Sequence, residues 1–374
     1  TFGAGGNAKR EGTSSYRFAR VYPNFRSLTW KNIIFRQDFL DNSNSWYINA
    51  NGHSMTFEDC TFIGPVIIDA GGNSTAGTSG STLTVKNCIN VNRICANRTS
   101  GSNTLGYTTI TVESCGGYGT AGVTIDPAGS GSVQNLTVNV TDTKATVDPT
   151  YKGNVSKINR NYMLNVTDSN IVFTNPVVSS SYTATTNLQG NVVLTGTCTG
   201  RTNSSTLSGE AILNVYDTVK TQENVTAYLA DFDTINISGE LRLGNYANSK
   251  DSGFYYTYVR PDVTLFTSGK LILERLASGT YYRTINSLKS NGTNTEISFP
   301  YIYDGTSSSL AGRPLIVQNT MSLTNSSEKL RVSTSLIPTH TGTTEYPLIQ
   351  FNSSSNAKLE QYTWIADQRY YLAK

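Results

Sequence analysis

Charge is what this sequence has least of. Asp, Glu, Lys and Arg make up 15% of its 374 residues, against about a quarter in an ordinary soluble domain. The 29 basic and 26 acidic residues leave a formal net charge of +3, with no run of either sign. Phosphate neutralisation needs clustered Lys and Arg, so we expect no nucleic-acid partner. No apolar stretch approaches the about 18 residues that a membrane-crossing helix requires, so we expect no transmembrane segment. Histidine occurs only as His53 and His340, and there is no Cys-x-x-Cys pair. We therefore expect no metal site and no cofactor. Cys60, Cys88, Cys95, Cys115 and Cys198 are an odd set in a long chain, which does not describe a disulfide framework.

Hydroxyls and amides carry the polarity instead. Ser and Thr number 92, Asn 36 and Gly 32. These residues are poor helix formers, which argues against a helical bundle. Apolar residues at 37% and aromatics at 10% argue equally against disorder. The chain begins Thr1-Phe2-Gly3, and we expect a mature or trimmed piece whose signal and anchor lie outside it.

Cysteine spacing exposes the organisation. Cys60 to Cys88 is 28 residues and Cys88 to Cys115 is 27. The surrounding windows align: LTWKNI at 28–33, MTFEDC at 55–60, LTVKNC at 83–88, ITVESC at 110–115, LTVNVT at 136–141, LNVTDS at 164–169 and VVLTGT at 192–197. Their starts are 27, 28, 27, 26, 28 and 28 residues apart. The first column (Leu28, Met55, Leu83, Ile110, Leu136, Leu164, Val192) and the third (Trp30 to Leu194) are wholly apolar. The second, between them, is mostly Thr. Apolar, polar, apolar is the pattern of a strand with one buried face. A strand recurring at a fixed interval, without helices between, describes a solenoid. Each coil of about 27 residues has room for three short strands and three turns.

The chain resembles the right-handed parallel β-helix superfamily on these windows, most clearly over 28–197. The fold class implied is all-β: a single-stranded right-handed parallel β-helix. We expect one domain over 1–374, with an N-terminal cap at 1–27, regular coils at 28–200, shorter or irregular coils at 201–356 and a C-terminal cap at 357–374. Later strands are expected at 212–215, 235–237, 271–273, 297–299, 315–317 and 330–332. Residues 244–257 and 278–294 are expected to leave the solenoid as loops or hairpins.

Each chemical candidate has a structural counterpart. Glu58-Asp59 is a carboxylate pair, but its column (Lys31, Glu58, Lys86, Glu113, Asn139) reads as an alternating outer ladder. The sixth column (Ile33, Cys60, Cys88, Cys115, Thr141, Ser169) reads as small inward residues with inert thiols. Asp69 and Asp126 fall two coils apart, about 10 Å, in Val66–Gly71 and Val123–Gly129. They fit turn chemistry as well as an inverting pair of acids. The pectin-active β-helix hydrolases carry paired Asp and a Gly-His-Gly segment. Asn51-Gly52-His53-Ser54 is the nearest match, and there is no paired Asp. Twelve Asn-x-Ser/Thr sequons, Asn73, Asn135 and Asn236 among them, are near what chance gives for so much Asn, Ser and Thr.

Eight of the 22 tyrosines lie between 246 and 303, interleaved with Arg260, Arg275 and Arg283. Tyrosine faces stack on sugar rings while their hydroxyls find polar partners. Tyr255, Tyr256, Tyr258, Arg260, Tyr281, Tyr282 and Arg283 are the candidate binding set; no catalytic residue is assigned. The resemblance extends to bacterial adhesin-like surface β-helix proteins. It implies a non-enzymatic extracellular surface protein with a glycan or a host or neighbour-cell protein as partner. A carbohydrate-active β-helix enzyme, lyase or hydrolase, is the alternative, and a structural spacer the second.

Overall fold

A computed structural model describes residues 2–3, 16–20, 27–36, 46–49, 54–64, 66–69, 81–95, 107–127, 135–149, 157–202, 209–244, 252–274, 283–301, 315–323, 330–336, 348–351 and 362–364. The described chain is all β, with its strands paired in parallel as a solenoid. It divides into two compact units: residues 1–186 with 205–210, and residues 187–204 with 211–374.

In the first unit, the strands Ser27–Lys31, Ser54–Glu58, Ser81–Lys86, Tyr107–Glu113, Leu136–Thr141 and Tyr162–Thr167 pair in succession. Alternation decides which side of each strand is buried. Met55, Phe57, Leu83, Val85, Ile110, Val112, Val138, Val140, Leu164 and Val166 all point inward and are buried. A second sheet stacks Tyr16–Arg20, Trp46–Asn49, Val66–Asp69, Arg93–Cys95, Val123–Asp126, Lys144–Val147 and Asn170–Phe173. A short third sheet joins Phe2–Gly3, Ile34–Arg36 and Thr61–Ile63. The interior of these coils is filled by rings in contact. Phe35 and Phe62 stack 5.2 Å apart, and Trp30 meets Phe35 edge-on at 5.6 Å.

The corner that ends each of these first-sheet strands repeats a single backbone device. Asn32, Asp59, Asn87, Ser114, Asp142 and Asp168 all adopt positive φ, between 46° and 56°. Asn and Asp tolerate that left-handed region better than other side chains do. Each residue from Asn32 to Asp142 donates its N–H to a carbonyl of the next coil, from Asn32 to Glu58 at 3.0 Å through Asp142 to Thr167 at 3.1 Å. The following residue turns inward and caps the carbonyl two positions back: Cys60 to Glu58 at 3.3 Å, Cys88 to Lys86 at 3.2 Å, Cys115 to Glu113 at 3.2 Å, Thr143 to Thr141 at 2.8 Å and Ser169 to Thr167 at 2.7 Å.

That column corrects the alignment. Ile110 pairs with Val138, and Leu136 with Tyr162. The window at 136–141 is therefore two residues out of register, and Thr143 rather than Thr141 continues the cysteine column. A slip of two preserves inward and outward faces, which is why the apolar pattern did not betray it. Asn139 consequently sits beside Thr111 and Asn165, while the alternating charges end at Glu113, opposite Thr141. Above that point the ladder holds, with Lys31–Glu58 at 3.0 Å and Lys86–Glu113 at 2.9 Å. Val192, Val193 and Leu194 belong to the second of the two long sheets, not to the column that spacing assigned them.

In the second unit, which takes in all but the first residue of Glu210–Val215, that strand and Thr234–Ile237, Asp262–Phe266, Thr284–Asn291, Leu315–Leu323 and Ile349–Phe351 pair in order. Asn191–Leu194, Thr218–Thr221, Glu240–Leu243, Lys270–Leu273, Glu296–Tyr301, Leu330–Leu336 and Tyr362–Trp364 form the other long stack. All six strands expected after residue 200 are present, but they are divided between the two stacks. Their uneven spacing reflects that division. Ser252–Tyr255 and Thr284–Asn291 are strands within the stretches expected to leave the solenoid. Apart from those two strands of residues, Tyr16–Arg20 and Tyr362–Trp364, and from Phe2–Gly3 and Ser27, the segments expected as caps lie outside the described residues.

Two outcomes test this frame. Asn87→Gly should leave stability nearly unchanged, whereas Asn87→Val should lower it by about 1–2 kcal/mol, read by urea unfolding. All five thiols are free and buried. Hydrogen bonding with Cys88, and then burial, push the Cys60 thiol up; hydrogen bonding with Cys115 chiefly pushes Cys88 up to about 12. Both remain protonated well above neutral pH. Cys115 is shifted the other way, downward, chiefly by its hydrogen bond with Cys88, so burial is the protection common to all five: a thiol-alkylating reagent at mildly alkaline pH should modify none of them in the native protein and all of them in denaturant, as counted by intact mass.

Candidate functional site: a tyrosine and arginine platform

The platform grows from a three-strand stack in the second unit. Cys198–Thr199, Ala227–Ala230 and Ser252–Tyr255 pair in parallel, with Tyr228 opposite Gly253 and Ala230 opposite Tyr255. Alternation buries Leu229 and Phe254 and turns Tyr228 and Tyr255 outward. Gly253 has no side chain to separate the two rings. They lie 5.8 Å apart at 35°. Tyr255 and Tyr258 are among the most exposed large apolar side chains described, at 39% and 45%.

One buried carboxylate shapes the turn that follows. Asp231 is 3% exposed and sits at φ 51°. Its Oδ1 accepts N–H bonds from Thr257 at 2.7 Å, Tyr258 at 2.7 Å and Val259 at 3.1 Å. Its own N–H donates to the Tyr255 carbonyl at 3.1 Å. Three convergent amides satisfy an anion well, and they fix the backbone between Tyr256 and Arg260. The Arg260 guanidinium then lies over the Tyr256 ring, its Cζ 3.9 Å from the centroid.

The structure thus pairs Arg260 with Tyr256, pairs Tyr255 with Tyr228, which the sequence reading missed, and leaves Tyr258 exposed on the same turn. Asp231 was missed as well. Its one sequence signal is an Asp directly after the short apolar strand Ala227–Ala230, the corner signature repeated elsewhere in the fold. Tyr281 and Tyr282 lie outside the described residues. Arg283 does not face solvent: it is 2% exposed and donates to the carbonyls of Glu274 and Leu273. Burial pushes its ionisation downward. Glu274 in turn binds Arg242 at 2.7 Å, and Arg242 reaches Glu240 at 3.1 Å. Arg283 therefore belongs to an internal polar chain and not to the surface set.

The other candidates also resolve into structure. Glu58 is paired with Lys31, and Asp59 accepts the Asn87 amide at 3.3 Å, so the adjacent carboxylates face different partners. Asp69 and Asp126 are the neighbours of Cys95 on either side, two coils apart as expected; Asp126 is 6% exposed. His53 lies outside the described residues. Among the described residues no group of three or more His, Cys, Asp or Glu is placed to hold a metal ion, and no helix is long and apolar enough to cross a membrane. Sequon residues Asn139, Asn165 and Asn236 are ladder rungs. Their amides donate to Thr111 at 3.3 Å, Asn139 at 2.9 Å and Asn214 at 2.9 Å.

The chain matches no protein-family model, no curated protein and no solved structure.

Removing the organiser is the direct test of this geometry. Asp231→Ala should destabilise the protein by about 1–3 kcal/mol, because three amides lose their acceptor. Hydrogen exchange at Thr257, Tyr258 and Val259 should quicken selectively; unchanged exchange there would refute the organising role.

Proposed function

We propose that this protein is a non-enzymatic, extracellular, adhesin-like surface β-solenoid of bacterial type that binds glycans through the Tyr228, Tyr255 and Tyr258 platform. We infer a right-handed winding, the hand taken by nearly all crossovers between parallel strands. The observation that carries the binding reading is an outward aromatic set on a turn held by a buried carboxylate. Two of its rings are substantially exposed, and the backbone beneath them is fixed by Asp231. Exposed aromatic faces on a rigid base lose little entropy when they stack on a sugar. All five thiols are free and buried, which protects them from oxidation and leaves an extracellular setting open to them.

A glycan array run beside a polysaccharide-degradation screen tests the proposal. Tyr255→Ala and Tyr258→Ala should each abolish or sharply weaken glycan retention while leaving thermal unfolding unchanged. Retention that survives both substitutions removes the platform from the reading. Release of unsaturated or reducing ends from any polysaccharide would replace it with an enzymatic one.

A further inference from the structure

Arg260 sets the chemistry of the ligand. Three other described arginines of the second unit are engaged by the fold itself. Arg201 pairs with Asp233, Arg242 with Glu240 and Glu274, and Arg283 with backbone carbonyls. Arg160, in the first unit, also lies over a tyrosine, its Cζ 5.5 Å from the Tyr182 centroid. It spends its Nη1 on the Asn159 carbonyl at 2.8 Å and the Tyr182 hydroxyl at 2.9 Å. Arg260 is arranged differently. Its guanidinium face is engaged by the Tyr256 ring at 3.9 Å. Among the described residues no carboxylate lies within ion-pair distance of it. Stacking uses the face of a guanidinium and leaves its in-plane N–H edge unspent. The Nη edge of Arg260 is thus a held, charged fork on the same turn as Tyr258 and directly after the strand that carries Tyr255, and a fork of that kind matches the paired oxygens of a carboxylate or sulfate.

We infer that the glycan bound here is acidic, with a sugar carboxylate or sulfate seated on the Nη edge of Arg260 while a neighbouring ring stacks on Tyr255 or Tyr258. This inference rests on the glycan-binding reading above and names the ligand class for the same site.

The test uses the full chain and three ligand sets of equal length: carboxylated oligosaccharides, the same oligosaccharides with their carboxylates reduced to alcohols, and sulfated oligosaccharides. Titration should show the carboxylated or the sulfated set, or both, binding at least about tenfold more tightly than the reduced set, with the advantage shrinking as salt is raised. The two acidic sets tell which oxyanion is preferred. Arg260→Gln should erase the advantage of the acidic ligands, and Arg260→Lys should restore only part of it. The reduced ligands on the unaltered protein supply the same comparison should the variants fold poorly. Equal binding of acidic and reduced ligands, still dependent on Tyr255, overturns the acidic class and leaves glycan binding standing. Absence of binding to every set overturns both.

Discussion

Every coil is held by the carbonyls and amides of its neighbours, and that in-register parallel pairing governs the rest. It places each side chain directly over its counterpart about 4.8 Å away. Like must then tolerate like. Inward positions answer with aliphatic columns and with rings such as Phe35 on Phe62. Outward positions answer by alternating charge, Lys31 with Glu58 and Lys86 with Glu113, or by chaining amides, Asn187 to Asn214 to Asn236. An amide both donates and accepts, so it repeats without frustration where an identical charge would repel. The low charge of the composition follows from this rule.

The platform is a local departure from the same rule. Pairing would set a side chain opposite Tyr228, but Gly253 stands there, and the rings of Tyr228 and Tyr255 meet diagonally instead. The Asp231 corner then does more than its equivalents. Its backbone takes the same left-handed turn as Asp59 or Asp142, yet its side chain is buried and gathers three amides of the following turn. A structural corner has become the foundation of an exposed surface.

What the sequence made legible tracks what a period reports. Columns of Leu, Val and Ile separated by Thr identify inward faces and a solenoid. They do not distinguish a shift of two residues, so the register at Leu136 was wrong while its burial was right. Nor do they distinguish one sheet from another, because Val192 and Leu194 alternate as any strand of either stack does. The left-handed corner was present in the fifth column as Asn32, Asp59, Asn87 and Ser114, but hydrogen bonding across coils was needed to identify it. In the candidate site, crowding of tyrosines was visible, and Tyr255, Tyr256, Tyr258 and Arg260 lie on one strand end and the turn after it because they adjoin in the chain. Arg283 was misassigned because sequence proximity carries no information on which way a side chain points.

The inward corner column reads Cys60, Cys88, Cys115, Thr143, Ser169. Three chemical types occupy one role: small volume and a single hydrogen to give to the carbonyl two residues back. The hydroxyls add an accepting contact: Thr143 Oγ1 takes the Cys115 N–H at 3.1 Å and Ser169 Oγ takes the Thr143 N–H at 3.1 Å. The turn therefore asks for a small donor in every coil, and coils closed by a hydroxyl are tied to the coil before them by one more hydrogen bond than the donor role requires.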